Sequence, residues 1–249
     1  MKLESAATIL DFNPFDVRTE AESTHNLGEG IYLADGRCFR YAKVGAANIS
    51  QGKLQSAPAP KTNHVNLAMA NASLGDTKVT VTLGATAATA DEYAEGYLCI
   101  NDVDGEGATY KIAGHPAASA SATLELTLFD PLDDDTTASS EATLVHNAYN
   151  GVVEAASKTR RPAGVPVENI NAGDFGWLQT KGIAAVLAEG PIAVGNSCVP
   201  SGSVAGAVTQ DTSFTEGVDA NRQWDEWPVG RAIIAGVDTE YRPVFLTIE

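Results

Sequence analysis

The sequence predicts an all-β protein: small β-barrel or sandwich units, an extended N-terminal arm and little helix. Three observations carry this. Short runs alternate apolar with polar residues, most cleanly Lys78-Val-Thr-Val-Thr-Leu83 and Thr123-Leu-Glu-Leu-Thr-Leu-Phe129. Turn residues punctuate these runs at the close spacing that a barrel or sandwich needs. Residues 175–187, Phe-Gly-Trp-Leu-Gln-Thr-Lys-Gly-Ile-Ala-Ala-Val-Leu, read as one long strand around which the chain is organised. Trp177, Gln179 and Lys181 point one way, Leu178 and Thr180 the other, and Gly182 interrupts the alternation. A bend or bulge is expected there. A helix is the rival reading, but Gly176 and Gly182 bracket the run and no capping box precedes it.

The N-terminal arm, 1–30, is weakly patterned. Phe12-Asn-Pro-Phe15 sets two aromatics around a proline, which suits either an extended arm that packs on another surface or a disordered terminus. Residues 31–160 form the first β unit. Ile31-Tyr-Leu33 and Cys38-Phe-Arg-Tyr41 flank Asp35-Gly36, a type I′ hairpin signal. Gln51-Gly52 makes a turn and Pro58-Ala-Pro60 a stiff linker. After Lys78–Leu83, Asp91-Glu-Tyr93 suggests one helical turn. Tyr97-Leu-Cys-Ile100 and Thr109-Tyr-Lys-Ile112 form a hairpin with a long glycine-rich tip. Asp133-Asp-Asp135 reads as a solvated loop. Residues 155–168, with Arg160-Arg161-Pro162 and Pro166, read as the connection into a C-terminal β-barrel-like unit, 161–249. Its strands are expected at 176–187, 191–194, 204–208, 229–234 and 243–248. Between them the polar loop 209–228 carries Phe214, Trp224 and Trp227. A loop that long is often functional.

Hydrophobic residues make up 44% of the 249, enough for a core, but only 7% are aromatic. Each large ring therefore marks a core or an interface. The charge balance, 16 basic against 32 acidic residues, gives −16. That disfavours nucleic acid and anionic membranes as partners, and favours solubility or a basic protein surface. Three widely spaced cysteines, Cys38, Cys99 and Cys198, suit reduced buried thiols. The first residues lack a sustained apolar region, so no signal peptide is expected, and no run is long enough to span a membrane.

Motifs for chemistry are scarce. His25, His64, His115 and His146 are far apart in sequence and read as surface or hydrogen-bonded structural residues, with a dispersed zinc site as the alternative. Ser197, in Gly195-Asn-Ser197, lacks the second glycine of a nucleophile elbow. Cys198 has no recognisable partner and reads as a buried cysteine. Asp102, Asp104 and Glu106 cluster at the hairpin tip, and hard cations favour such clusters. The ligand pattern of an EF-hand nevertheless stops at Ala113. A plain tip using Asp and Gly at positive φ is the simpler reading, beside a weak cation site. No catalytic residue, cofactor or metal site is expected.

Two stretches carry a resemblance. One runs from Val79-Thr-Val-Thr-Leu-Gly-Ala-Thr-Ala87 through Glu92-Tyr-Ala-Glu-Gly-Tyr-Leu-Cys-Ile-Asn-Asp-Val-Asp-Gly-Glu-Gly-Ala-Thr-Tyr-Lys-Ile112 to His115-Pro-Ala-Ala. The other is Gly173-Asp-Phe-Gly-Trp-Leu-Gln-Thr-Lys-Gly-Ile-Ala-Ala-Val-Leu187, closing with Val229-Gly-Arg-Ala and Pro243-Val-Phe-Leu-Thr-Ile248. Together, over residues 31–249, they resemble virion structural proteins of tailed bacteriophages, of the head decoration (capsid cement) type. The resemblance implies a β-barrel protein, made in the bacterial cytoplasm, that binds the outer capsid surface. It implies the major capsid protein as partner, a homotrimer, and neither catalysis nor cofactor. On that reading Phe12 and Phe15 would reach a neighbour, and Phe214, Trp224 and Trp227 would line a trimer seam. The alternative is another virion component, a head fibre base or tail protein, that binds a host surface or glycan.

Overall fold

The computed structural model describes residues 12–23, 25–212 and 227–249. The chain is almost entirely β, as the sequence predicts. Its strands are β1 (Gly30–Tyr32), β2 (Cys38–Val44), β3 (Gln55–Ser56), β4 (Leu67–Ala68), β5 (Lys78–Thr82), β6 (Tyr97–Asp102), β7 (Thr109–Gly114), β8 (Thr123–Leu128), β9 (Glu141–Val145), β10 (Asn150–Glu154), β11 (Pro162–Pro166), β12 (Phe175–Leu187), β13 (Ser197–Pro200), β14 (Val208–Gln210), β15 (Gly230–Ala232) and β16 (Tyr241–Thr247). Among the described residues helix is limited to single 3₁₀ turns at Glu20–Glu22 and Thr62–His64.

Among the described residues these strands form two sheets. The smaller has the order β4-β9-β6-β7-β8-β5, and an antiparallel bridge between Met69 and Val81 joins its two ends. The result is a closed barrel. Period-two alternation explains it: Val79 and Val81 of β5 and Leu124, Leu126 and Leu128 of β8 turn inward, where Leu98, Ile100, Ile112 and Leu144 meet them. Outward positions carry Lys78, Thr80, Thr82, Thr123, Glu125 and Thr127.

The larger sheet has the order β1-β2-β10-β3-β11-β12-β16-β15-β13-β14. An additional β2–β12 pairing closes its first part into a ring. A bridge from Ala188 to Val208 draws its far edge back to the end of β12. Strand β12 thus belongs to both rings, and its burial follows. Phe175–Thr180 are all buried, whereas from Lys181 onward buried and outward residues alternate. Between the halves Thr180 is the extra residue of a bulge opposite Phe39 and Cys38. Gly182 follows at φ 87°, with the backbone Cα of Arg37 3.2 Å from where a Cβ would sit. The expected irregularity is present, with the inserted residue two positions before the glycine.

The sheets divide the chain differently from the segment boundary at 160/161. Residues 30–56 and 150–247 share the larger sheet, and 67–145 are inserted as the smaller barrel. Residues 57–66, with Pro58 and Pro60, lead into the insertion, and 146–149 lead out.

Several local expectations are corrected. The segment around Arg160-Arg161-Pro162 is no connection: β11 is a fully buried strand. Its small residues and terminal prolines suit close packing between strands, and the same features imitate a loop in sequence. Residues 191–193 are irregular and 194 and the start of 204–208 are turn and bend, although Ile192 is buried, and the strand lies instead at Ser197–Pro200. The Asp35-Gly36 hairpin has a three-residue loop rather than a type I′ turn: Gly36 N–H donates to Leu33 O, Leu33 N–H donates to Arg37 O, and only Gly36 has positive φ. Asp91-Glu-Tyr93 is a turn with Asp91 at φ 55°, not helix. In the acidic run, Asp133 bonds the Tyr110 hydroxyl and Asp135 accepts the Leu74 N–H at 2.7 Å, so two of the three carboxylates anchor the loop. Cys38 and Cys198 are buried free thiols, but Cys99 is only partly buried.

Candidate functional site

The fold gathers three of the four scattered histidines around Tyr93, which is fully buried in the smaller barrel. His64 bonds the Tyr93 hydroxyl through Nδ1 and Thr86 O through Nε2 at 2.9 Å. His115 Nε2 accepts the Tyr93 N–H at 2.9 Å, so its Nδ1 donates to Pro116 O. The His146 ring stacks on Tyr93 with centroids 4.4 Å apart, and its Nε2 faces Glu92 at 3.2 Å. Glu92 also takes the Lys61 ammonium at 2.6 Å and the Thr89 N–H at 2.9 Å. Burial raises its pKa, but Lys61, Thr89 and His146 outweigh that and hold it down at about 2. Burial pushes the Tyr93 phenol far up and lowers His146, against the upward pull of Glu92. Every ring nitrogen of His64 and His115 is occupied by the protein itself. The arrangement is a satisfied polar brace, consistent with hydrogen-bonded structural histidines.

Other sequence candidates are placed as follows. Asp102, Asp104 and Glu106 are exposed, and Asp102 accepts the Val103 N–H at 2.8 Å. The tip uses Gly105 and Gly107 at positive φ, but also Val103 at φ 67°. Among the described residues no group of three His, Cys, Asp or Glu side chains is arranged to hold a metal. Cys198 is fully buried, and burial pushes its thiol up to about 11. Ser197 opens β13 rather than a strand-turn-helix elbow. Phe12 packs on its own chain, against Phe39 at 5.3 Å and Trp177 at 5.1 Å between centroids. Phe15, three residues on, is 56% exposed. Trp227 is also exposed, its Nε1–H donating to Thr159 O at 3.3 Å. Phe214 and Trp224 lie outside the described residues.

Two surfaces remain open. The first is the outward face of β12 and β16. Cross-strand pairs place Ile183 opposite Phe245, Ala185 opposite Pro243 and Leu187 opposite Tyr241. Ile183 is 59% exposed and Tyr241 52%. Beside them Phe15, Gln51, Asn169, Gln179 and Tyr241 border a cavity of about 560 Å³. Gln179 is itself fixed, donating from Nε2 to Lys181 O and Ile183 O at 2.9 and 3.0 Å. The period-two pattern after Lys181 held this signal: the outward positions Ile183, Ala185 and Leu187 are apolar, where a wet sheet would carry charge. The second is a groove of about 320 Å³ at the junction of the two sheets, bordered by Pro58, Pro60, Lys61, Val65, Leu144, His146, Arg160, Arg161 and Trp227. Among the described residues no carboxylate borders it, although the chain carries −16.

No protein-family model, curated protein or solved structure matches this chain.

Proposed function

We propose that this protein is a structural component of a tailed-phage virion, a decoration protein that binds the outside of the capsid as a trimer and clasps neighbouring subunits of the major capsid protein. The observation that carries the reading is the apolar outward face of β12 and β16, with Ile183, Phe245 and Tyr241 exposed across that antiparallel pair. Burying such rings against a partner at about 25 cal/mol per Å² gives modest affinity per copy. Repetition over a symmetric lattice multiplies it. A ligand that fits the expanded lattice better than the unexpanded one stabilises the expanded shell by linkage. The acidic charge keeps the free subunit soluble.

Sedimentation with purified expanded and unexpanded capsids of the encoding phage tests this. Co-sedimentation with expanded shells, lost in an Ile183→Glu, Phe245→Glu variant that stays folded, is the expected result. Failure to bind either shell ends the reading. A second reading, a fibre base or tail component that binds host glycans, draws on the exposed Trp227 ring beside the junction groove. Binding to host-surface glycans without any affinity for capsids would select it.

A further inference from the structure

We propose that the junction groove captures an extended acidic peptide segment of a partner protein, which adds as a short strand to the open edge of β9. This is independent of the capsid reading, and capsids play no part in its test.

The edge can be phased from the hydrogen bonds. Ile100 N–H donates to Ala108 O and Ile112 N–H to Gly96 O, so the even residues of β6, Leu98 among them, aim their main-chain groups at β7. The odd residues Tyr97 and Cys99 therefore serve β9, at Val145 and Thr143. Leu144 must then point its N–H and C=O to the other side of β9. The β4 side gives the same phase, since Met69 N–H donates to Ser140 O at 3.0 Å and Leu67 sits opposite Ala142. But β4 begins at Leu67. Asn66 turns away at φ 50°, sending its N–H to Thr143 Oγ1, and Val65 makes no backbone bond to Leu144. Leu144, 5% exposed, thus lines the groove with no main-chain partner on that side among the described residues. An open strand edge is a template for another strand.

The groove also selects charge. The Arg160 and Arg161 guanidiniums make no hydrogen bond or ion pair with any described residue. Lys61, by contrast, is already neutralised by Glu92. Two unpaired guanidiniums are suited to carboxylates, which they bind in two-pronged fashion. The exposed ring of Trp227 and methyls of Val65 offer apolar contact in the same groove. A strand edge and two arginines bordering one groove fit a peptide better than a sugar, whose hydroxyls have no strand register to match.

The test is calorimetric titration of the full chain with a capped peptide of alternating glutamate and valine. Binding that weakens with salt and falls roughly tenfold or more in an Arg160→Glu, Arg161→Glu variant is expected, with Lys78→Glu as the distant control. The same peptide N-methylated at alternate residues should lose binding. Equal binding of the N-methylated peptide would overturn strand addition. Undiminished binding to the charge-reversed variant would overturn the groove. Binding of a sulfated oligosaccharide but not the peptide would overturn the ligand class. Peptide binding seen only after Glu216, Asp219, Asp225 and Glu226 are neutralised would assign the groove to the chain's own segment, and overturn the partner.

Discussion

The outward faces of β5 and β8 and of β12 and β16 have the same geometry and opposite chemistry. Both are antiparallel pairs with one face in a core. Across β5 and β8 the outward partners are Lys78 with Thr127, Thr80 with Glu125 and Thr82 with Thr123. Across β12 and β16 they are Ile183 with Phe245, Ala185 with Pro243 and Leu187 with Tyr241. A pleated pair needs only one apolar face to fold, so the second face is free to record its surroundings. In the smaller barrel that record is water. In the larger sheet the outward face is apolar, and this difference motivates the proposed docking face.

The largest effects should come from the faces the two pairs share in kind, their interiors. Leu126→Ala in the smaller barrel and Leu178→Ala in the doubly paired half of β12 each remove a fully buried side chain. Each should cost about 2–5 kcal/mol in denaturant unfolding. If the rings are one cooperative unit, both variants shift a single transition; two separate transitions would show the sheets unfolding apart.

The link between the sheets responds to acid. Glu92 has its pKa held at about 2 against an ordinary 4.5, so its contribution is fully present above pH 4.5 and is lost as pH falls through 2. His146, lowered by burial, acts in the same direction: folding favours its neutral form, and stability falls as pH drops below its ordinary 6.5. Glu92→Gln should cost on the order of 2–3 kcal/mol at neutral pH and flatten the stability profile between pH 4.5 and 2. An unchanged acid limb in that variant would place the acid sensitivity elsewhere.

Giving the larger sheet the chemistry of the smaller one sharpens the comparison. Ile183→Thr with Phe245→Thr removes exposed apolar surface and one cross-strand pair, so unfolding free energy should change by less than about 1 kcal/mol. Self-association or capsid binding should fall far more. A loss of several kcal/mol would mean the face is part of the fold and not a surface. Smallest of all, Lys78→Ala breaks an exposed pair with Glu125 at 2.6 Å and should cost under about 1 kcal/mol.

Much of this was legible in residue order. Lys78–Thr82 and Thr123–Leu128 announce themselves because alternation is local: each side chain's face follows from the pleat. The bulge near Gly182 was legible for the same reason, since broken alternation marks it. Strand β11 was not, because Pro-Ala-Gly-Val-Pro is buried on both sides and shows no period. Nor was the brace around Tyr93, whose histidines come from residues 64, 115 and 146. For the candidate surfaces, the apolar outward positions of β12 were readable, but their pairing with β16 was not. The open edge at Leu144 depends on where β4 stops.

The sequence by itself determined the all-β class, the face each alternating strand buries and the hairpin of β6 and β7 with its glycine-rich tip, because these rest on neighbours a few residues apart. Only the tertiary structure decided that β12 serves two rings, that residues 67–145 are an insertion, and that Arg160, Arg161 and Trp227 meet at one groove. Those facts come from contacts between distant segments, whose partners are chosen by the packing of the whole chain.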